Sequence, residues 1–237
     1  MSRARTEHEL SEYRWLSPHA MVGLVLGLLS AVALLDPLAW LLPAAGIVVS
    51  LIAIVRIARN PQTFTGQKLA WTGLALSLLF AAAGPTDWYL YRYLVRREAL
   101  AFARPWFQLI GEREIHKAYL LSVEPHSRLP LDISLPEMCR RAAYLCTELE
   151  GYRKDPAVKA LEALGENRVR FCRFEGQLTA SDRDSVRAVF EASPAHGNPA
   201  ATLRVALSLE RLRLRGAQGW RLGRAEWRLL RAEIVPM

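Results

Sequence analysis

The sequence predicts a three-span α-helical transmembrane bundle joined to a soluble α+β domain, its helices packed on a curved antiparallel sheet. Three observations carry this expectation. Residues 20–35, 38–55 and 69–84 are apolar runs without a charge in them. Far downstream, Leu203, Val205, Leu207 and Leu209 alternate as one face of a strand. Between the two, apolar residues recur at three- and four-residue spacing, the period of amphipathic helices. The chain average, 51% apolar, conceals this division.

A helix needs about 20 residues to cross the hydrocarbon core of a bilayer. The flanks extend the three runs to spans of about 17–35, 38–56 and 69–91, with Pro85 and Asp87 inside the last. Trp15, Trp40, Trp71, Trp88, Tyr89, Tyr91 and Tyr93 stand near the run ends, where aromatic rings favour the headgroup level. A cleaved signal peptide is not expected. The leader mixes Glu7, Glu9 and Glu12 with Arg3, Arg5 and Arg14, and a second span follows the first within a few residues.

The break at Asp36-Pro37 makes the first two spans a tight hairpin. Arg3, Arg5 and Arg14 of the tail and Arg56, Arg59 and Lys68 of the second break oppose Arg92, Arg96 and Arg97 after the third span. The positive-inside rule then makes residues 1–16 a cytoplasmic tail and puts the domain at 96–237 outside. No ionisable residue interrupts the apolar runs, so neither a transporter nor a channel is expected.

Small residues recur at four-residue spacing in each span: Gly23, Gly27 and Ala31, then Gly46 and Ser50, then Gly73, Ser77 and Ala81. Such stripes let helix backbones approach closely in lipid. They allow a homo-oligomer, but three short-looped helices must pack on each other first. The first and third spans also align at an offset of 50, Gly23–Leu29 with Gly73–Leu79.

A family resemblance rests on these residues. The Gly-Leu-x-Leu-Gly span, the Ile54-Val55-Arg56-Ile57-Ala58-Arg59 exit and the Thr65-Gly66-Gln67-Lys68-Leu69-Ala70-Trp71-Thr72-Gly73-Leu74 return resemble a bacterial membrane family known as domain of unknown function 4190, over about residues 17–84. The resemblance implies a multi-pass protein of the bacterial cytoplasmic membrane and no particular activity.

Beyond residue 96, Leu100, Ala103, Phe107 and Ile110 keep helical spacing, and Pro105 should bend that helix or mark its start. A short helix is expected at 114–121 and a loop at 123–133. Ser134-Leu135-Pro136-Glu137 reads as a capping box opening a helix that runs through Met138, Ala142, Leu145, Leu149 and Tyr152. On it, Cys139 and Cys146 would lie about 10 Å apart along the axis, too far to bridge each other. Cys172 on a strand could pair with either, but the expectation is that the cysteines are small buried apolar residues. Asp155-Pro156 caps a further helix that stops at Gly165.

From residue 168 the pattern is strand. The alternating phase flips at Glu210-Arg211, and the return strand flips at Gly223-Arg224, which predicts paired β-bulges and a sharply bent hairpin. Phe102, Trp106 and Phe107, the Ile115-His116-Lys117-Ala118-Tyr119 helix and the Gly219-Trp220-Arg221-Leu222 strand resemble the cone-shaped nuclear transport factor 2-like superfamily over about residues 98–234. That superfamily hosts binding proteins, structural modules and some enzymes, so it implies a fold and not a function.

Chemistry-bearing motifs are few. His8, His19, His116, His126 and His196 fall in no metal-ligand spacing, and neither a phosphate-cradling loop nor a G-x-S-x-G elbow occurs, so no metal or cofactor is expected. In a cone, Trp106, Tyr119, Tyr144, Trp220 and Trp227 would line a pocket or simply fill the core. His116 and Asp132 are the acid–base candidates near its mouth. Arg211, Arg213, Arg215, Arg221 and Arg224 would form a basic face on the last hairpin, solvated by default and otherwise open to anionic lipid, envelope polymer or a partner.

The net charge of +8 is mostly arginine without a basic block, which argues little for nucleic acid. The expected role is therefore a non-enzymatic, membrane-anchored module of the cell envelope that binds a protein or ligand. The alternatives are an acid–base enzyme with a small-molecule pocket and a basic-face binder of lipid, polymer or nucleic acid.

Overall fold

The computed structural model describes residues 15–60, 64–180, 182–195, 202–213 and 225–236. The chain forms two compact units, one closing at Leu90 and the other opening at Tyr91.

The first unit is helical. Pro18 occupies the first turn of α1 (Pro18–Leu29), a position that needs no backbone donor. The helix tightens into a 3-10 segment, Ser30–Leu34, at the point where the Ser30 hydroxyl donates to the Leu26 carbonyl at 2.7 Å. Asp36 Oδ1 accepts the Leu38 N–H at 2.7 Å and caps the 3-10 turn Pro37–Trp40, which leads into α2 (Leu41–Arg59). A short parallel bridge joins β1 (Trp15–Leu16) to β2 (Phe64–Thr65), and α3 follows as Gln67–Gly111.

Helix α3 corrects one expectation. Its 45 residues run unbroken through Pro85 and Pro105, so no new helix starts near Arg104. Each proline removes a single donor from a helix long enough to keep its remaining bonds.

In the second unit, short helices precede a four-stranded antiparallel meander. They are α4 (Ile115–Leu120), α5 (Leu135–Arg141), α6 (Ala143–Arg153) and α7 (Pro156–Leu164). The strands β3 (Asn167–Thr179), β4 (Arg183–Pro194), β5 (Leu203–Arg213) and β6 (Ala225–Ile234) lie in chain order. The class is α+β, as the residue patterns require.

The core lies between one stripe of α3 and one face of the sheet. Val95, Ala99, Ala103, Trp106, Phe107 and Ile110 cluster with Val186, Ala188, Phe190, Val205, Leu207, Leu209 and Leu229. Each large side chain removed from water there contributes roughly 1.5–3 kcal/mol.

Three local expectations are overturned. The Ser134 side chain makes no cap hydrogen bond, and Glu137 instead pairs with Arg140 and Arg141, so the capping box does not form. The helix expected from 135 to beyond 152 breaks at Ala142 (φ −146°, ψ 80°), and Cys139 and Cys146 are disulfide-bonded across that break with Cα atoms 5.5 Å apart. The third concerns β5, whose pairing with β4 continues in unbroken register past Glu210 and Arg211.

No bulge therefore lies at Glu210-Arg211. Arg211 keeps the inward phase of Val205, Leu207 and Leu209, and the apparent flip arose because a charged residue takes an inward position. The β5–β6 register shifts instead between Ser208 and Leu209, with Leu230 as the extra residue on β6. The expected flip at Gly223-Arg224 lies outside the described residues. Two further shifts fall on β3, between Phe171 and Arg173 and between Phe174 and Gly176. Bulges of this kind blunt an edge strand.

Candidate functional site

The first unit is built with its large apolar side chains outward and its small residues inward. Leu35, Leu38 and Leu41 are 74%, 82% and 77% exposed, whereas Ala20, Ser30, Ser50, Ala53, Ala70 and Ser77 are fully buried. A core assembled in water sorts side chains the other way. Pro37–Arg59 and Gln67–Gly111 are each long and apolar enough to cross a membrane, and Pro18–Leu34 is a shorter apolar helix.

The small residues meet across all three helices. A Cβ on Gly73 would lie 2.7 Å from the Gly23 carbonyl carbon, and one on Gly27 would lie 2.8 Å from the Gly73 carbonyl oxygen. Gly23 faces the Ser50 hydroxyl, 2.6 Å from where its Cβ would stand, and Gly46 faces the Ser77 hydroxyl. The stripes are thus engaged with one another inside the chain.

The two ends of this bundle differ. At one end the Ser17 N–H donates to the Thr65 carbonyl at 3.0 Å, and Arg56 lies 3.3 Å from the His19 ring. At the other, Trp40 Nε1 donates to the Ala33 carbonyl at 3.2 Å and packs edge-on to Trp88, with centroids 6.1 Å apart.

The second unit holds a buried polar chain that sequence reasoning missed. Tyr91 donates to Asp184 Oδ2 at 2.5 Å. Arg211, only 2% exposed, directs Nη1 to the same oxygen at 3.4 Å and Nε to Glu98 Oε2 at 2.9 Å. Trp227 Nε1 donates to that Glu98 oxygen at 3.3 Å. Helix α3 supplies Tyr91 and Glu98, and the sheet supplies Asp184, Arg211 and Trp227. The signal available in sequence was the arginine itself, at the inward position of an otherwise apolar strand face.

This corrects the basic face. Arg211 is a buried ion-pair partner and not part of a solvated surface. Arg215, Arg221, Arg224 and Trp220 lie outside the described residues, and Arg213 closes β5. The outer face of the sheet carries alternating charges instead. Arg173, Glu175, Arg187, Glu233 and Arg231 form a continuous row of ion pairs. The hydrogen bond from Arg173, then that from Arg187, holds the Glu175 carboxyl below its ordinary range.

Of the aromatic candidates, Trp106 is fully buried in the core and donates to the Tyr152 hydroxyl at 2.7 Å. Trp227 stacks on Phe102, with centroids 6.3 Å apart. Tyr119 and Tyr144 come together with Glu124, Glu148, Ser122 and Leu230 around a surface cavity of about 390 Å³. There the Tyr119 hydroxyl donates to Glu148 Oε2 at 2.6 Å. Burial, reinforced by that carboxylate, raises the Tyr119 hydroxyl above its ordinary pKa, and burial raises Tyr152 against the opposing Trp106 hydrogen bond.

The His116 ring lies 3.3 Å from the Ile133 carbonyl and 3.5 Å from Glu114, while Asp132 is exposed on the neighbouring turn. Among the described residues no group of three or more His, Cys, Asp and Glu side chains is arranged to hold a metal ion. No protein-family model matches the chain, and neither a characterised protein nor a solved structure matches it significantly.

Proposed function

We propose that the protein is a membrane-anchored, non-enzymatic binding or scaffolding module of the bacterial cell envelope. In this reading residues 17–91 cross the cytoplasmic membrane three times and the second unit lies outside. The observation that carries it is the inverted sorting of the first unit, with leucines presented outward and glycines, alanines and serines packed inward. Lipid tails favour that surface, and close van der Waals approach favours that interior.

Three further features support the crossing number and the direction. Helix α1 with its 3-10 extension rises about 18 Å plus about 10 Å, near the roughly 30 Å of bilayer hydrocarbon. Arg56 shares the tail end of the bundle with His19, as the positive-inside rule asks of a cytoplasmic face. The Cys139–Cys146 disulfide suits an oxidising compartment. An interior filled by Trp106, Phe107 and Phe190 leaves the domain its surfaces to bind with.

Fusion of alkaline phosphatase or of a green fluorescent protein to the C-terminus tests the reading. Active phosphatase with a dark fluorescent fusion is the expected pair. Silent phosphatase with a bright fluorescent fusion overturns the outside assignment and restores the nucleic-acid alternative. A full-length chain that stays monodisperse without detergent removes the anchor itself.

A further inference from the structure

Residues 135–153 are patterned as one helix, yet they form two. Met138, Ala142, Leu145, Leu149 and Tyr152 share a single helical face, and the chain at the break reads Arg141-Ala142-Ala143. Alanine is the best helix former, and neither glycine nor proline stands there to end a helix. Helix α6 nevertheless begins at Ala143 with no side-chain cap, after a residue whose φ and ψ are −146° and 80°.

The local agent that opposes the helix is the cross-link over it. In a continuous helix Cys139 and Cys146 would stand about 10 Å apart along the axis, whereas their Cα atoms are 5.5 Å apart in the disulfide. Bridge and unbroken helix exclude each other.

We infer that the Cys139–Cys146 disulfide is a redox latch on the cavity formed by Tyr119, Tyr144 and Glu148. Oxidised, it bends residues 135–153 at Ala142 and holds Tyr144 and Glu148, both on α6, at the cavity wall beside Tyr119. The reductant is a dithiol, small or on a thiol–disulfide oxidoreductase. Two electrons and two protons pass to the pair, the S–S bond breaks into two thiols, and the dithiol leaves as a disulfide. The helix then closes over Ala142 and carries the cavity wall with it. Both cysteines are half-buried, which leaves them within reach of a reductant. The latch belongs to the second unit alone and stands whether or not the first unit lies in lipid.

Amide hydrogen exchange on the full-length chain in detergent micelles tests it, with and without dithiothreitol, beside a double variant carrying Cys139→Ser and Cys146→Ser. Leu145 N–H already donates to the Ala142 carbonyl at 3.0 Å. In a fused helix the amides of Ala143 and Tyr144 gain the carbonyls of Cys139 and Arg140 as acceptors. Their exchange should slow about tenfold on reduction and in the variant, with β4 and β5 unchanged. Unaltered or faster exchange at Ala143 and Tyr144 overturns the latch, because the break is then set by the rest of the fold. Loss of protection across β4 and β5 in both samples overturns it too, because the disulfide then only holds the domain together.

Discussion

Arg211 Nε donates to Glu98 Oε2 at 2.9 Å, and this contact ties the end of β5 to the helix that packs across the sheet. The same guanidinium lies 3.4 Å from Asp184, a carboxylate with no exposed surface. Two charges are thus removed from water where the apolar strand face ends, and each is tolerable because of the other. Arg211→Ala should cost about 3–5 kcal/mol of domain stability, because it takes a cation from beside buried Asp184. Glu98 is 44% exposed, so Glu98→Gln should cost no more than about 1 kcal/mol. Denaturant unfolding in detergent, followed by tryptophan fluorescence, separates the two.

Gly73 should be the least replaceable position in the helical unit. A methyl there meets the Gly23 carbonyl carbon at 2.7 Å and the Leu24 nitrogen at 2.8 Å, both backbone atoms that cannot rotate away. Gly73→Ala should destabilise the bundle by about 1–3 kcal/mol. Val48→Ala, at an outward position, should change it little. Thermal aggregation temperature in a fixed detergent is the measurement.

Alkaline pH should unfold the second unit through its tyrosines. Tyr119 and Tyr152 have raised pKa values in the folded chain, so their contribution is complete below the unfolded value of about 10 and is lost as pH climbs above it. Tyr119 and Tyr152 should ionise only as the domain opens. Absorbance at the tyrosinate band should therefore show a late step coincident with loss of near-UV circular dichroism. Tyr152→Phe should shrink that step.

Cysteine labelling should count one thiol and not three. Cys172 is free and exposed on β3, while Cys139 and Cys146 are joined. A maleimide added to the native, unreduced chain should add one mass increment, and after reduction three. Three increments without reduction would remove the disulfide and every inference resting on it.

The helices Ile115–Leu120 and Pro156–Leu164, the four strands and the Asp155 cap were legible because each follows from spacing or from a neighbour in the chain. Asp155 Oδ1 accepts the Ala157 N–H at 2.8 Å, and Gly165 ends α7 with φ 65°, as their residue types announce. The buried polar chain was not legible. Tyr91 and Arg211 are 120 residues apart, and no periodicity reports that an inward arginine has found a carboxylate and a phenol. The edge of β6 was equally hidden. There the Leu229 N–H donates to the Leu121 carbonyl at 3.0 Å, and Arg128 Nη2 donates to the Trp227 carbonyl at 2.6 Å, clamping a loop over the strand.

By itself the chain of residues determined where apolar surface must go: three charge-free runs with small-residue stripes, then amphipathic helices before alternating strands. Those are local properties, since hydropathy and backbone preference act over a few residues. Only the tertiary structure decided that α3 continues through both prolines, that Arg211 turns inward, and that the helix at Ala142 yields to a bridge between Cys139 and Cys146. The last two set a local preference against a partner brought near by folding. The partner prevails because a buried charge left alone, or a covalent bond broken, costs more than one interrupted turn of helix.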